Sequence, residues 1–380
     1  MENFIFHNPT EILFGKGMIA EIKNRIPQKE RVLFLYGGGS IKRNGVYEQV
    51  TAALKGCKVT EFGGIEANPL FETCLKALEV VKKEKIGFIL AVGGGSVLDA
   101  GKLIAAAACY EGKDPWEILQ KCGENVKAAL PLGAVLTLPA TGSESNGNSV
   151  ISREATKEKL HFYSPLVYPV FSVLDPEVTF SLPGKFVRNG IVDAFIHIVE
   201  QYITYPAGAP IQDRFAESLL KTLVEVAPTT LKEPENYEAR ATFMWAATLA
   251  LNNLIGCGVP QDWSTHMIGH ELTAFYGLDH AETLAIILPG VWKHQQVAKK
   301  AKLEQYGNRV WGVKTAEEAI AKTEEFFHSI KMPTRLGDYK IPAEEAAGKV
   351  RERFQKRNVA WGERGDITPA ATAEIILSRA

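Results

Sequence analysis

Between residues 31 and about 175, short runs of β-branched and aromatic residues alternate with segments of helical period: RVLFLY (31–36), KVTEF (58–62), GFILAV (87–92) and AVLTLP (134–139) mark the runs. Strand, helical crossover, strand is the pattern of βαβ units around a largely parallel sheet. After DPEVTFSLPGKF (175–186) no further strand pattern follows. The segments VRNGIVDAFIHIVEQYI, QDRFAESLLKTLVEVA, ARATFMWAATLALNNLI, AKKAKLEQYGNRVW and TAEEAIAKTEEFFHSI instead carry a 3.6-residue apolar repeat. The expectation is an α/β domain over residues 1–180 and an all-helical domain over 181–380. ATFMWAATLALNNLI, apolar almost all round, is expected at the centre of a helix bundle. There is no internal repeat, low-complexity tract or charge run.

Composition narrows the class. A chain of 380 residues, 46% apolar and 23% charged, is long enough for two cores. Its 43 Lys and Arg balance 44 Asp and Glu, so no global field recruits nucleic acid or an anionic membrane, and any bound anion must be gripped locally. Cys57, Cys74, Cys109, Cys122 and Cys257 form no CxxC pair and are odd in number, which speaks against a disulfide framework and a thiolate zinc site. The start MENFIFHNPTEILFG has neither the basic nor the apolar region of a signal peptide, and LIAAAACY and LAIILPGVW fall short of the ~20 residues of a membrane span. A cytoplasmic protein without a membrane anchor is expected.

Two glycine clusters follow predicted strands. In ILAVGGGSVLDAGKLIAAAA, a buried strand leads into three glycines and a helix opened by Ser96, with Asp99 three residues on as in a capping box. Successive glycines at a helix N-terminus bare backbone N–H groups where the helix dipole favours negative charge, which suits a pyrophosphate; one glycine would serve a plain turn. The spacing is not G-x-G-x-x-G. The second cluster, LFLYGGGSIKR (33–43), follows the first predicted strand, where NAD enzymes commonly place an acid on the ribose 2′-hydroxyl. Here Gly37, Gly38, Gly39 and Ser40 are followed by Lys42 and Arg43, with no acid, so NADP is expected rather than NAD. A polar loop, LTLPATGSESNGNS (136–149), adds Thr137, Thr141, Ser143 and Asn146 as candidate cofactor contacts.

The third candidate is a histidine cluster. The stretch DWSTHMIGHELTAFYGLDH (262–280) holds His266, His270 and His280. On the helix VRNGIVDAFIHIVEQYI, Asp193, His197 and Glu200 fall on one face at i, i+4 and i+7, away from an apolar face of Val192, Phe195, Ile196, Val199 and Ile203. His266 and His270 repeat the i, i+4 spacing, and His280 follows a turn at Gly277. A carboxylate with imidazoles suits a borderline divalent ion, zinc or iron. Five candidates exceed what a site with an open position can use, so one is something other than a ligand. H-x-x-x-H-E is not the zinc-peptidase order H-E-x-x-H. His7, His161, His294 and His328 stand alone and are read as ordinary polar residues.

The stretches DAFIHIVEQY, QDWSTHMIGHELTAFYGLDHAETLAIILP, AVGGGSVLDAGK and LTLPATGSESN together resemble the iron-containing (group III) alcohol dehydrogenases, within them the NADPH-dependent aldehyde reductase and butanol dehydrogenase branch, over essentially the whole chain. The resemblance implies a dehydroquinate synthase-like fold, with a dinucleotide-binding α/β domain and an all-helical domain, and a homodimer. It implies metal ligation by Asp193, His197, His266 and His280, with His270 beside the substrate. It implies cofactor contacts at Gly37, Gly38 and Ser40 for the adenosine end, and at Gly94, Gly95, Ser96 and Asp99 for the pyrophosphate. Asn68, Thr137, Thr141, Ser143, Asn146 and Lys159 complete that set. The implied activity is hydride transfer between NADP(H) and a small to medium aldehyde or primary alcohol. Two other outcomes share the fold: an NAD-dependent butanol or glycerol type dehydrogenase, and a dehydroquinate synthase-like lyase. The lyase needs basic residues for a polyanion, whereas Leu254, Trp263, Phe275 and Tyr276 make the surroundings apolar and aromatic.

Overall fold

Val32, Leu33, Phe34, Leu35 and Tyr36 are all buried although successive side chains leave a strand on opposite sides, so both faces of this strand are covered. The computed structural model, which describes residues 1–380, places it in a six-stranded sheet whose pairings are all parallel. The strands are β1 (Glu11–Phe14), β2 (Arg31–Tyr36), β3 (Lys58–Phe62), β4 (Phe88–Gly94), β5 (Leu132–Leu138) and β8 (Phe171–Leu174). Their order is β1-β8-β5-β4-β2-β3, and β6 (Asn148–Arg153) with β7 (Glu158–Tyr163) forms a separate antiparallel hairpin. Helices α1 (Val46–Ala53), α2 (Phe71–Glu84), α3 (Gly95–Ala108) and α4 (Trp116–Gln120) connect them.

Period-two alternation sorts the strand residues into two cores. Leu33, Leu35, Ile89, Ala91, Ala134 and Leu136 pack with Ala77 and Leu78 of α2 and with Leu98, Leu103 and Ile104 of α3. Val32, Phe34, Phe88, Leu90, Val92 and Val135 pack on the other side with Ile19, Ile22, Val46 and Val50. From β2 the chain passes outward to β3, and from β4 it passes the other way to β5. The carboxyl ends of β2 and β4 therefore form the switch point where open α/β sheets bind ligands.

The remaining helices are α5 (Gly184–Tyr202), α6 (Pro210–Lys232), α7 (Tyr237–Ala250), α8 (Ser264–Tyr276), α9 (His280–His294), α10 (Lys300–Tyr306), α11 (Ala316–Ser329), α12 (Ala343–Arg357) and α13 (Pro369–Leu377). The chain divides into two compact units, residues 7–183 with 233–248, and residues 1–6 with 184–232 and 249–380. A single division near residue 180 does not anticipate the exchanges at 1–6 and 233–248. The reason for the second is visible in α7: Met244 belongs to the core under the sheet, while Trp245 is 40% exposed and meets Phe14 edge-on at 5.9 Å. The bundle-centre expectation for this segment is thereby corrected, because its apolar surface serves the sheet.

In the helical unit, α8 is held from the side by α12: Arg353 and Arg357 each donate to one carboxylate oxygen of the buried Glu271 at 2.6 Å. Gly269 lets α9 approach α8 closely, since a Cβ there would stand 2.9 Å from Thr283 Oγ1 and 3.0 Å from Leu284 Cδ2. No helix is long and apolar enough to cross a membrane, and the five cysteines form no disulfide.

Candidate active site

Three helices bring the histidine cluster together. Asp193 and His197 lie one turn apart in the wholly buried stretch of α5, His266 in the first turn of α8, and His280 opens α9. Gly277, at φ +71°, ends α8 in the left-handed region, and Asp279 with Glu282 forms a capping box that starts α9. Asp193 Oδ1 stands 3.7 Å from His197 Nε2, 4.0 Å from His266 Nε2 and 3.7 Å from His280 Nε2. The ligand atoms of Asp193, His266 and His280 all lie within 4.8 Å of one another. The rings of His197 and His266 stack at 4.7 Å and 17°. Asp193 Oδ1 is buried without a hydrogen-bond donor, an arrangement that costs free energy unless a cation compensates it. Ligand bonds of ~2.0–2.2 Å put neighbouring donors at roughly 3.3–3.5 Å, so the three Asp193–imidazole distances of 3.7–4.0 Å are a few tenths of an ångström longer than a zinc or ferrous ion would set.

Glu200 braces this set from the same helix face. Its carboxylate accepts from the backbone N–H groups of Thr265 (2.8 Å) and His266 (3.3 Å) and from Nδ1 of the His266 ring. Burial, with the charge of Asp262 second, raises its carboxyl while no cation is bound, and a divalent ion on the far side of the His266 ring would act the other way and hold it ionised. His270 is a neighbour of the group, with ring centroids 5.1 Å from His280 and 6.4 Å from His266. Trp263, the N-cap of α8, has φ +62°, a conformation that costs a bulky residue roughly 1–3 kcal/mol. Phe275 and Tyr276 depart from the sequence reading of an aromatic substrate environment. They sit at the C-terminal end of α8 under cations of α12, with Arg353 3.8 Å above Phe275 and Lys349 5.1 Å above Tyr276. Of the other histidines, His328 bonds Thr334 Oγ1 at 2.9 Å and His294 lies 3.8 Å from Glu374.

In the α/β unit, both glycine clusters sit at the switch point. Gly37, Gly38 and Gly39 follow β2, with Gly38 and Ser40 exposed and Gly39 at φ +86°. Gly93 to Gly95 join β4 to α3 across a register shift against β5. These glycines have a steric reason as well as any ligand role. A Cβ on Gly93 would stand 2.5 Å from Val97 Cγ2, and one on Gly95 would stand 2.3 Å from Thr141 Oγ1. One glycine would therefore not serve this turn, contrary to the expectation from sequence. The N-cap is Gly94 and no side chain caps α3; Ser96 Oγ instead donates to the Ala67 carbonyl at 2.6 Å.

The polar residues of this unit divide into two groups. Gly94, Ser96 and Thr141 are partly exposed. Asp99, Ser143 and Asn146 are buried and bonded within the chain: Ser143 Oγ donates to Asp99 Oδ1 at 2.6 Å, Val150 N to Asp99 Oδ2 at 2.9 Å, and Asn146 Nδ2 to the Gly142 carbonyl at 2.8 Å. The wholly buried Lys102 Nζ joins them, donating to Ser143 Oγ, Asn146 Oδ1 and the Asn148 carbonyl at 2.8, 3.1 and 2.7 Å. These side chains hold the loop after β5 against α3. Thr137 is also buried, and Lys159 donates to Asn68 Oδ1 at 3.0 Å. Lys42 is partly engaged, 3.8 Å from Glu61 Oε2 and about equally far above the rings of Tyr36 (4.9 Å) and Tyr47 (4.8 Å).

A strand-switch glycine turn in one unit and a carboxylate with imidazoles in the other have a counterpart among known proteins. The model described as iron-containing alcohol dehydrogenase matches residues 9–176, and that of the Fe-containing alcohol dehydrogenase family, C-terminal, matches residues 188–363. The chain belongs to the iron-containing alcohol dehydrogenase family. It is 55% identical to the NADPH-dependent aldehyde reductase YqhD of Escherichia coli, over 97% of both chains. It is 45% identical to the NADP-dependent alcohol dehydrogenase 3 of Entamoeba histolytica, over 93% of this chain and 92% of that one. The crystal structure of an NADH-dependent butanol dehydrogenase A from Thermotoga maritima matches it with a TM-score of 0.94 at 38% identity, covering 100% of this chain and 99% of that one.

Within this family fold, the bracing roles of Glu200 and Lys102 and the backbone conformation of Trp263 go beyond what the sequence discloses. Glu200 was legible only as the third polar residue on the α5 face, at i+3 from His197. Lys102 lies three residues after Asp99 in an otherwise apolar helix, which is a signal for a buried partner. Nothing local marks the backbone of Trp263.

Proposed function

We propose that the chain is a metal-assisted alcohol dehydrogenase and aldehyde reductase that moves a hydride between NADP(H) and a small to medium aldehyde or primary alcohol. The observation that carries this reading is the convergence of the orphaned Asp193 Oδ1 on the imidazoles of His197, His266 and His280. Asp193, His197, His266 and His280 would hold one zinc or ferrous ion, which as a Lewis acid polarises the carbonyl oxygen while the nicotinamide supplies the hydride. The ligands bring one negative charge, so a divalent site keeps a net positive charge that favours a developing alkoxide. His270, adjacent to the ligands and outside their number, would give the proton, because an imidazole titrates near ~6.5 and can donate at neutral pH.

Gly37, Gly38, Gly39 and Ser40 would receive the adenosine end, and Gly94, Gly95, Ser96 and Thr141 the pyrophosphate. Asp99, Thr137, Ser143, Asn146, Asn68 and Lys159 would act mainly by holding those segments in place. The preference for NADP over NAD is supported by the absence of an acid in the exposed Gly38–Ser40 turn and by the names of two relatives. The family's name favours iron, and the donors accept zinc equally. A homodimer, testable by sedimentation, completes the proposal.

The test is reduction of a linear aldehyde by NADPH and by NADH, with the protein stripped of metal and then reloaded with zinc or ferrous ion. NADPH turnover that disappears with the metal and returns with it is expected. Asp193→Asn should lose the metal while still binding NADPH. Full turnover without metal, or tighter metal binding by Asp193→Asn, would overturn the reading.

A further inference from the structure

We infer that Trp263 sets which aldehydes the enzyme accepts, its indole forming the wall against which the carbonyl substituent lies beside the Asp193–histidine group. The inference rests on the reduction proposed above. Trp263, the N-cap of α8, precedes His266 by three residues and His270 by seven. The indole meets the His266 ring edge-on, with centroids 5.2 Å apart and planes at 69°, and its centroid is 6.2 Å from that of His197. His197 and His266 are almost wholly buried, whereas Trp263 keeps part of its surface open. A ring next to the polar group where a carbonyl would bind is thus not fully enclosed by the protein. Phe275 and Tyr276, the other aromatic residues of α8, are instead occupied by Arg353 and Lys349.

The backbone points the same way. A left-handed tryptophan is strained, and the surroundings enforce it on both sides. Asp262 N donates to the Glu200 carbonyl at 2.8 Å, and Asp262 Oδ1 accepts from Ser264 N at 3.0 Å. Lys299 Nζ holds the other oxygen of Asp262 at 2.9 Å. The indole N–H donates to Gln261 Oε1 at 2.8 Å, which fixes the rotation of the ring. A glycine would adopt this backbone without strain, so a large flat ring is retained here against the local conformational preference. A wall of this shape gives dispersion contact to an extended alkyl or aryl substituent and opposes branching at the carbon next to the carbonyl.

Trp263→Gly removes the ring and relieves the backbone, and Trp263→Phe keeps a smaller ring on the strained backbone. The experiment compares kcat/KM for linear, α-branched and aryl aldehydes in both variants, with metal affinity measured by chelator competition in the absence of substrate. The preference for linear over α-branched aldehydes should fall about tenfold in Trp263→Gly, the scale of a lost methylene-sized contact, and less in Trp263→Phe. Metal affinity should be unchanged. The emission difference between wild type and Trp263→Phe should respond to a primary alcohol added to the metal-loaded protein. Equal loss on every aldehyde, or loss of metal in step with activity, would make the ring a brace for the imidazoles and overturn the inference. If Trp263→Gly does not fold, an unaltered aldehyde profile in Trp263→Phe together with an emission difference indifferent to alcohol overturns it as well. A wild-type protein that reduces no aldehyde would overturn the proposed function instead.

Discussion

Glu200 accepts a hydrogen bond from Nδ1 of His266, which leaves Nε2 of that ring as the atom turned toward Asp193 Oδ1. A carboxylate behind a ligating imidazole fixes its tautomer and orientation and raises its basicity. Glu200 also takes the backbone N–H groups of Thr265 and His266, so it places the start of α8 as well as the ring. Glu200→Gln keeps an acceptor for the backbone but loses the charge behind the ring. Metal affinity in that variant should fall about 10–100-fold while NADPH affinity is kept. Chelator competition and NADPH fluorescence measure the two separately, and unchanged metal affinity would remove Glu200 from the metal centre.

His270 gives a different signature. It is one helical turn from His266 and its ring is 5.1 Å from that of His280, and in the proposed function it stands outside the four ligands. His270→Ala should therefore retain the metal and lose turnover by about 10²–10⁴-fold, the usual contribution of a positioned acid or base. The loss should be greatest on the alkaline side of neutral pH, where solvent supplies protons poorly. Metal analysis of the purified variant with a pH–rate profile checks both halves, and full metal with full rate would end the proton-donor assignment.

The spacing rules made part of this site legible. A polar row at i, i+4 and i+7 on an apolar helix identifies Asp193, His197 and Glu200 as sharing a face, and the same rule pairs His266 with His270. Spacing cannot say how α5, α8 and α9 pack, which is what brings Asp193, His266 and His280 together and leaves His270 adjacent. The strands at 31–36, 58–62, 87–92 and 134–139 were visible because their residues are β-branched, aromatic and continuous. β1 and β8, with four residues each, are too short to show a period, and they become strands by pairing with one another and with β5. Nor does a helix that is apolar all round reveal which core it serves, as Met244 of α7 shows.

The two glycine turns make separable predictions. Gly38 has open space around the position of an added Cβ and no left-handed backbone, so Gly38→Ala should leave stability unchanged. If the exposed turn receives the adenosine end, the same methyl should weaken NADPH binding. Gly95→Ala places its Cβ against the Thr141 side chain and should cost roughly 1–3 kcal/mol through overpacking, with a matching loss of nucleotide affinity. Thermal melts and NADPH titrations of the pair distinguish a ligand role from a packing role. Undiminished NADPH affinity in Gly38→Ala would take that residue out of the nucleotide site.

The C-terminal end of the helical unit supplies the clearest pH dependence. Arg379, wholly buried, donates through Nη2 to Glu324 Oε1 and to the Thr334 carbonyl, and through Nε to the Ile286 carbonyl at 2.8 Å. Burial alone would raise the Glu324 carboxyl, but the Arg379 hydrogen bond and charge, aided by Lys293 and Arg335, hold it below its ordinary value. A carboxyl with a lowered folded-state pKa contributes stability that is present above its unfolded value and is lost as pH falls through the folded one. Glu324→Gln should therefore be less stable than the parent at neutral pH by about 1.5–3 kcal/mol, the range for a hydrogen bond to a charged group. The difference should be flat from neutrality down to about pH 5 and should shrink below that, as the wild-type carboxyl takes up its proton. Urea unfolding of both proteins across pH 3–7 measures it. A difference that instead grew as the pH fell would mean that Glu324 is not held by Arg379 in the folded state.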